Sequence, residues 1–131
     1  MASRKILYVC QEIMPYLPET ELSTLSRRLV QAMQERGNEI RTFMPRYGCI
    51  NERRNQLHEV IRLSGMNLII DDNDHQLIIK VASIPSARIQ IYFIDNDDFF
   101  SRKAVLADAD GKEFEDNDER AIFFARGVLE T

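Results

Sequence analysis

The chain has 131 residues, 44% of them hydrophobic, with 17 basic against 21 acidic side chains and a net charge of −4. That is apolar material for one core and one domain. An acidic chain without a long basic run is a poor partner for nucleic acid or an anionic membrane, and its longest apolar stretches are too short to cross a bilayer.

Met1-Ala2-Ser3-Arg4-Lys5 leads straight into a strand, with no signal-peptide apolar region, which predicts a cytoplasmic protein. Cys10 and Cys49 lie far apart and outside any C-x-x-C pair, so they read as free thiols of a reducing compartment. Both fall near one edge of a parallel sheet, which leaves an approach between them open.

Ile6-Leu7-Tyr8-Val9 is a continuously apolar run, as expected of a strand buried on both faces. After a loop with Pro15 and Pro18, a helical pattern places Leu22, Leu25, Leu29, Ala32 and Met33 on one stripe. Arg27, Arg28, Gln31, Gln34 and Glu35 face away from it. Gly37 stands where a helix C-terminal glycine belongs. Glu39 to Met44 forms a second strand, stopped by Pro45. Strand, helix and strand within about forty residues make a right-handed βαβ unit with parallel strands.

From Leu57 to Ile94 the apolar runs are short: Val60-Ile61, Leu68-Ile69-Ile70, Leu77-Ile78-Ile79 and Ile89 to Ile94. Asp71-Asp72-Asn73-Asp74-His75 between the second and third runs suits a hairpin turn. The expectation is a hairpin inserted into an α/β fold, returning through Pro85-Ser86 to a third core strand. A last helix begins at Asp116 or Asn117, where Asp116 and Glu119 have capping-box spacing. Its face is Ala121, Ile122, Ala125, Val128 and Leu129, widened by Phe123 and Phe124, and it has to pack on a sheet. The reading is an incomplete α/β unit with a Rossmann-like parallel sheet, one partial domain over residues 1–131 with no internal boundary.

Open α/β sheets bind ligands at the carboxyl ends of their strands, so the first loop, Cys10 to Leu22, is the place for chemistry. It holds no glycine, which excludes the dinucleotide fingerprint and the P-loop.

The run Ile6-Leu7-Tyr8-Val9-Cys10-Gln11-Glu12-Ile13-Met14-Pro15-Tyr16 resembles the opening of the starch synthase and bacterial glycogen synthase family. The similarity continues through Arg36 to Gly48. It resumes at Ile91 to Asp95 with Phe99, Phe100 and Arg102, and again at Asp116-Asn117 with Arg120, Phe124 and Leu129-Glu130. The resemblance implies a retaining glucosyltransferase of the GT-B arrangement, two Rossmann-like domains with the active site between them. Glucose passes from ADP-glucose to an α-1,4-glucan, and the nucleotide is held mainly by the second domain. This chain would supply the N-terminal half of the first. The implied substrate-binding residues are Glu12, Tyr16, Asp116 and Asn117; no catalytic residue, metal or cofactor is assigned.

The loop departs from the family pattern. Where the family continues Lys-Thr-Gly-Gly-Leu, this chain has Pro18-Glu19-Thr20-Glu21-Leu22, and the aspartate two residues on is Thr24. A lysine about 4 Å from a phosphate contributes on the order of 1–4 kcal/mol; Glu19 and Glu21 repel instead, and side chains at 20 and 21 block the backbone approach that glycine allows. The expectation is a degenerate donor loop. Its helix start would be satisfied by Thr20 as cap and by the glutamates' own carboxylates. Arg46, Arg53 and Arg54 follow the second strand and could reach the same edge.

Weaker patterns remain. Asp95-Asn96-Asp97 after an apolar strand is compatible with a metal-binding Asp-x-Asp and, more simply, with an acidic turn. Asp108-Ala109-Asp110-Gly111 reads as a turn rather than half a calcium loop; His58 and His75 lack partners at ligand spacing. Ser23 and Ser26 have no visible base. Phe99, Phe100, Phe123 and Phe124 read as core before sugar platform. Two function classes stay open. One is a piece of a glucosyltransferase, inactive by itself, with α-glucan as partner and sugar nucleotide in doubt. The other is a non-catalytic glucan-binding or regulatory module. The incomplete sheet also favours a homo-oligomer.

Overall fold

The computed structural model describes residues 3–84, 87 and 89–131. Met1, Ala2 and the expected return through Pro85-Ser86 lie outside the described residues. In chain order the elements are β1 (Lys5–Val9), α1 (Glu21–Glu35), β2 (Glu39–Pro45), β3 (His58–Glu59), a 3-10 turn (Ile61–Leu63), β4 (Asn67–Ile70), β5 (Asn73–Gln76), β6 (Ile78–Ile84), β7 (Ile89–Asp95), a short α2 (Asp97–Phe100) and α3 (Asn117–Glu130).

The main sheet has the order β1-β2-β7-β6-β3. β1, β2 and β7 are parallel, with Ile6 beside Ile40 and Phe43 beside Tyr92. β6 runs antiparallel to β7, and β3 antiparallel to β6. The fold is therefore α/β with a Rossmann-like parallel half, and its inserted excursion joins the sheet instead of leaving it. The third apolar run, expected to close a hairpin on the second, becomes β6. The hairpin is tighter than expected: β4 pairs with β5, Ile70 opposite Asn73. Its two-residue turn is Asp71-Asp72, at φ 50° and 62°. Both residues in the left-handed region define the turn that matches strand twist, and aspartate tolerates it.

α1 buries a different flank from the one its apolar stripe suggests, and α3 buries only part of its expected face. α1 buries Ser23, Ser26 and Val30, while Leu22, Leu25 and Leu29 are exposed. Small serines let the helix lie close on the sheet, where the Tyr8 hydroxyl donates to Ser26 Oγ at 3.2 Å. Gly37, at φ 88°, ends α1 as expected; its N–H reaches Gln34 O at 2.9 Å. α3 buries Arg120, Phe123, Gly127 and Val128, not Ile122 or Leu129, which are 50% and 82% exposed. Gly127 permits the contact, because a Cβ there would meet Ile94 Cγ2 at 2.8 Å. Among the described residues β1 lies at one end of the sheet with Leu7 and Val9 exposed, where its apolar run predicts burial on both faces. No helix is long and apolar enough to cross a membrane among the described residues.

The core centres on Ile91, Phe93 and Ile94 of β7, Met44 of β2, Ile79 of β6 and Phe123 of α3, each fully enclosed. Phe93 and Ile94 alternate across the sheet, Phe93 toward the first loop and Ile94 toward α3.

Candidate functional site

The carboxyl ends of β1, β2 and β7 share one edge, and three loops leave from it: residues 10–20, 46–57 and the segment after Asp95. The first loop is anchored by its own apolar side chains. Ile13, Tyr16 and Leu17 are buried, and the Tyr16 ring meets Phe93 edge-on with centroids 4.9 Å apart. Burial pushes the Tyr16 phenol up to about 12, against the nearby Arg27 charge. Tyr16 is thus a core residue on the α1 face of the sheet, on the opposite face from Asn117.

Pro18, Glu19, Thr20 and Glu21 stand exposed beyond that anchor. Thr20 caps α1: its Oγ1 accepts from Ser23 N at 3.0 Å, and Thr20 N donates back to Ser23 Oγ at 2.8 Å. Ser23 Oγ also donates to Pro18 O at 2.9 Å. Thr20 caps the helix as expected, and its hydroxyl with that of Ser23, rather than the glutamate carboxylates, closes the helix start. Of the N–H groups that a phosphate could use here, those of Thr20 and Ser23 are spent within the chain.

Glu12 is half-buried and close enough to Tyr47 for its charge to count. Tyr47 is buried, and that burial first, then Glu12 among others, holds its phenol well above the usual range, opposed by Arg120. Asp116 does not form the expected capping box and makes no side-chain cap. It forms a two-pronged pair with Arg102, at 2.5 and 2.7 Å. That hydrogen-bonded partner holds the Asp116 carboxyl below the usual aspartate range. Asn117 donates to Leu106 O at 2.8 Å and accepts from Arg120 at 2.8 Å. The structure therefore sets Asn117 beside Tyr47 and Arg120 on one cavity, which Gln11 rather than its neighbour Glu12 lines, and leaves Tyr16 out.

Arg120 is the residue missed as a site feature. It is 3% exposed, donates from Nε to Phe99 O at 2.8 Å and from Nη1 to Val105 O at 2.7 Å, and lies over the rings of Phe100 and Phe114. Burial lowers its pKa, with Arg102 adding repulsion. The signal was an arginine three residues before Phe123 and seven before Gly127, on the core flank of α3. Beside it a cavity of about 250 Å³ opens between the end of β1 and α3, bounded by Val9, Gln11, Tyr47, Asn117, Ala121 and Phe124 among others.

A second cluster missed from sequence lies under the second loop. Asp95, 1% exposed at its side chain, meets Arg46 Nη2 at 2.9 Å and Lys80 Nζ at 2.9 Å. Lys80 also pairs with Glu52 at 2.7 Å, and Arg46 lies 3.7 Å from the same carboxylate. Its telltale was Lys80 inside an apolar strand. The metal reading of Asp95-Asn96-Asp97 fails here: Asp95 is engaged by two cations, and Asn96 caps α2 by accepting from Asp98 N and Phe99 N. No group of three or more metal-ligating side chains gathers among the described residues. Arg46 is thus inward, whereas Arg53 and Arg54 are exposed. Asp108 closes a turn through Asp110 N and Lys112 N, His75 pairs with Asp98 at 3.0 Å, and His58 is exposed on β3. Phe99, Phe100 and Phe123 are core, while Phe124 is half-buried.

Both cysteines are free. Cys10 is buried, its thiol pushed up to about 11 by that burial, while Cys49 is exposed. With thiolate as the reactive form, alkylation at pH 8 should label Cys49 and leave Cys10 unmodified until the chain is unfolded. Peptide mapping checks this, and equal labelling of the two in the folded protein would contradict it.

A parallel half-sheet with its loops at the strand carboxyl ends, and a first loop that enters a helix N-terminus, defines a Rossmann-like α/β domain. The sequence matches the family model described as the starch synthase catalytic domain over residues 5–131, and the chain belongs to that family. Glycogen synthases of Chlorobium limicola and Chlorobaculum tepidum are each 40% identical over 128 residues, 97% of this chain; that of Chlorobium luteolum is 39% identical over the same length. The chain spans about a quarter of those relatives, 26% of each. Among solved structures, the catalytic domain of starch synthase IV from Arabidopsis thaliana, bound to ADP and acarbose, superposes with a TM-score of 0.80 at 19% identity. That match covers 98% of this chain and 25% of that one. The chain thereby shares the fold of that quarter of the catalytic domain.

Proposed function

We propose that these residues form one partial domain, the opening of the first domain of a starch or glycogen synthase-like glucosyltransferase, in which the first loop has lost its hold on the donor diphosphate. The observation that carries this reading is the loop within a family match that runs from residue 5 to 131. Pro18, Glu19, Thr20 and Glu21 replace a cation and bare backbone, and Thr20 and Ser23 close the helix start. The α-glucan is the partner this reading favours, with Glu12 and Asn117 the residues proposed to meet it and Asp116 holding the start of α3 through Arg102. Tyr16 supports the loop from beneath. A cytoplasmic setting fits the free thiols. A homo-oligomer is a further partner of this reading.

Titration of the protein with ADP-glucose, UDP-glucose and maltooligosaccharides tests the proposal by calorimetry. Saturable binding is expected for the oligosaccharide and none for either nucleotide sugar. The 131 residues alone should extend no glucan, since a cleft between two domains needs both walls. Micromolar ADP-glucose binding that is lost on changing Glu19 to Glu21 would defeat the degenerate-loop reading. A second reading, a glucan-binding module without transfer, rests on the same loop; glucan binding retained with no turnover in a protein carrying both domains would favour it.

A further inference from the structure

Asn117 and Arg120 stand at i and i+3 in the first turn of α3, so their side chains share a flank of the helix. The guanidinium is fixed from several sides. Nε donates to Phe99 O at 2.8 Å, and the two hydrogens of Nη1 are divided between Val105 O at 2.7 Å and Asn117 Oδ1 at 2.8 Å. The rings of Phe100 and Phe114 lie 5.3 and 5.1 Å from its central carbon. The second loop holds the backbone just beyond Phe99, because a Cβ on Gly48 would stand 2.4 Å from both Ser101 O and Arg102 O.

That frame decides which way the Asn117 amide turns. An arginine only donates and a backbone carbonyl only accepts, so Oδ1 has to face Arg120 while Nδ2 donates to Leu106 O, 2.8 Å away. The flipped amide would set N–H against N–H and oxygen against oxygen. Each end of the amide keeps one unused function, a second N–H on Nδ2 and a second lone pair on Oδ1. A donor and an acceptor in one plane match two neighbouring hydroxyls of a sugar ring.

We infer, on the glucan reading above, that Arg120 is a positioning residue: it sets the orientation in which Asn117 presents its amide to the glucan, without touching the sugar itself. Its remaining nitrogen, Nη2, is enclosed. Arg120 is 3% exposed and hydrogen-bonds to carbonyl oxygens rather than to a carboxylate, a costly way to hold a core together. A methionine would fill much of the same space, but it could not donate to Asn117.

A double-mutant cycle on the affinity of the protein for maltoheptaose, measured by calorimetry, tests this. Arg120→Lys keeps the charge but replaces the fork by a single ammonium, which cannot serve Phe99 O, Val105 O and Asn117 Oδ1 together. It should weaken binding about tenfold, the scale of one misplaced hydrogen bond. Asn117→Ala should weaken it at least as much, and Arg120→Lys should add nothing in the Asn117→Ala background. In protein labelled with 15N at asparagine, the Asn117 side-chain amide should exchange slowly with water in the wild type and fast in Arg120→Lys. Its wild-type signal needs no variant to fold. Unchanged affinity in Arg120→Lys overturns the inference, as does a loss that persists in full when residue 117 is alanine; glucan binding itself then stands. An Asn117 amide that exchanges freely in the wild type has the same consequence. Failure of maltoheptaose to bind the wild type overturns the glucan reading, and this use of Asn117 with it.

Discussion

Asp95→Ala is expected to lower the unfolding free energy by about 3–5 kcal/mol, measured by urea denaturation, because it takes the close carboxylate from the buried Arg46 and leaves Lys80 to Glu52 alone. Asp95 is 1% exposed at its side chain and is shared by Arg46 and Lys80, whose side chains are 9% and 18% exposed. Removing the carboxylate leaves Arg46 with Glu52 alone, 3.7 Å away. A loss of that size is a large part of a domain's total stability, about 5–15 kcal/mol. Lys80→Met should cost less, since Asp95 then keeps Arg46 and the long apolar side chain refills the space. A change within about 1 kcal/mol for Asp95→Ala would mean that the cluster behaves as a solvated surface network, and the account of a buried one would fail.

Phe123→Ala should cost about 3–5 kcal/mol through lost burial and the cavity left behind. Phe123 is fully enclosed. Its ring centroid lies 5.5 Å from that of Phe99, 6.2 Å from Phe100 and 6.3 Å from His75, so α2, α3 and the β4–β5 hairpin meet on it. Local loosening should follow the same map: amide exchange should accelerate in β4, β5 and α3 before it does in β1 and β2. Uniform acceleration through the whole sheet would show that the aromatic cluster is not a separable unit. Ile122→Ala, on the exposed flank, serves as the control and should change stability little in the monomer.

Those two clusters mark how far the sequence could be read. The strands β1, β2 and β7 and the helices α1 and α3 are legible because their apolar runs have the lengths and stops of such elements, Gly37 and Pro45 among them. The buried flanks of the helices are not. Periodicity identifies a leucine stripe on α1 but says nothing of what covers it, and the sheet takes Ser23 and Ser26 because small side chains let the helix approach. On α3 the core flank contains Arg120, which hydropathy scores as outward. Carbonyls of Phe99 and Val105 and the faces of aromatic rings make it an inward residue. At the site, the exposed Pro18 to Glu21 segment is visible in sequence as a departure from the family pattern. Its closure by Thr20 and Ser23 is only half visible, because the capping hydroxyls do not need the carboxylates beside them. Asp116 was legible as a helix start, but its partner Arg102 sits fourteen residues earlier, at a range that local patterns do not cover.

The mixed direction of the sheet sets the order in which it can assemble. β6 and β7 are sequence neighbours, with Ile84 beside Ile89, so their pairing closes a short loop. Joining β2 to β7 brings Thr42 to Ile91 and must first spend the entropy of a far longer one. The antiparallel pair is therefore the most local seed, β1 and β2 close the next shorter loop, with Lys5 beside Glu39, and the joining of β2 to β7, which completes the parallel half of the sheet, spans the longest.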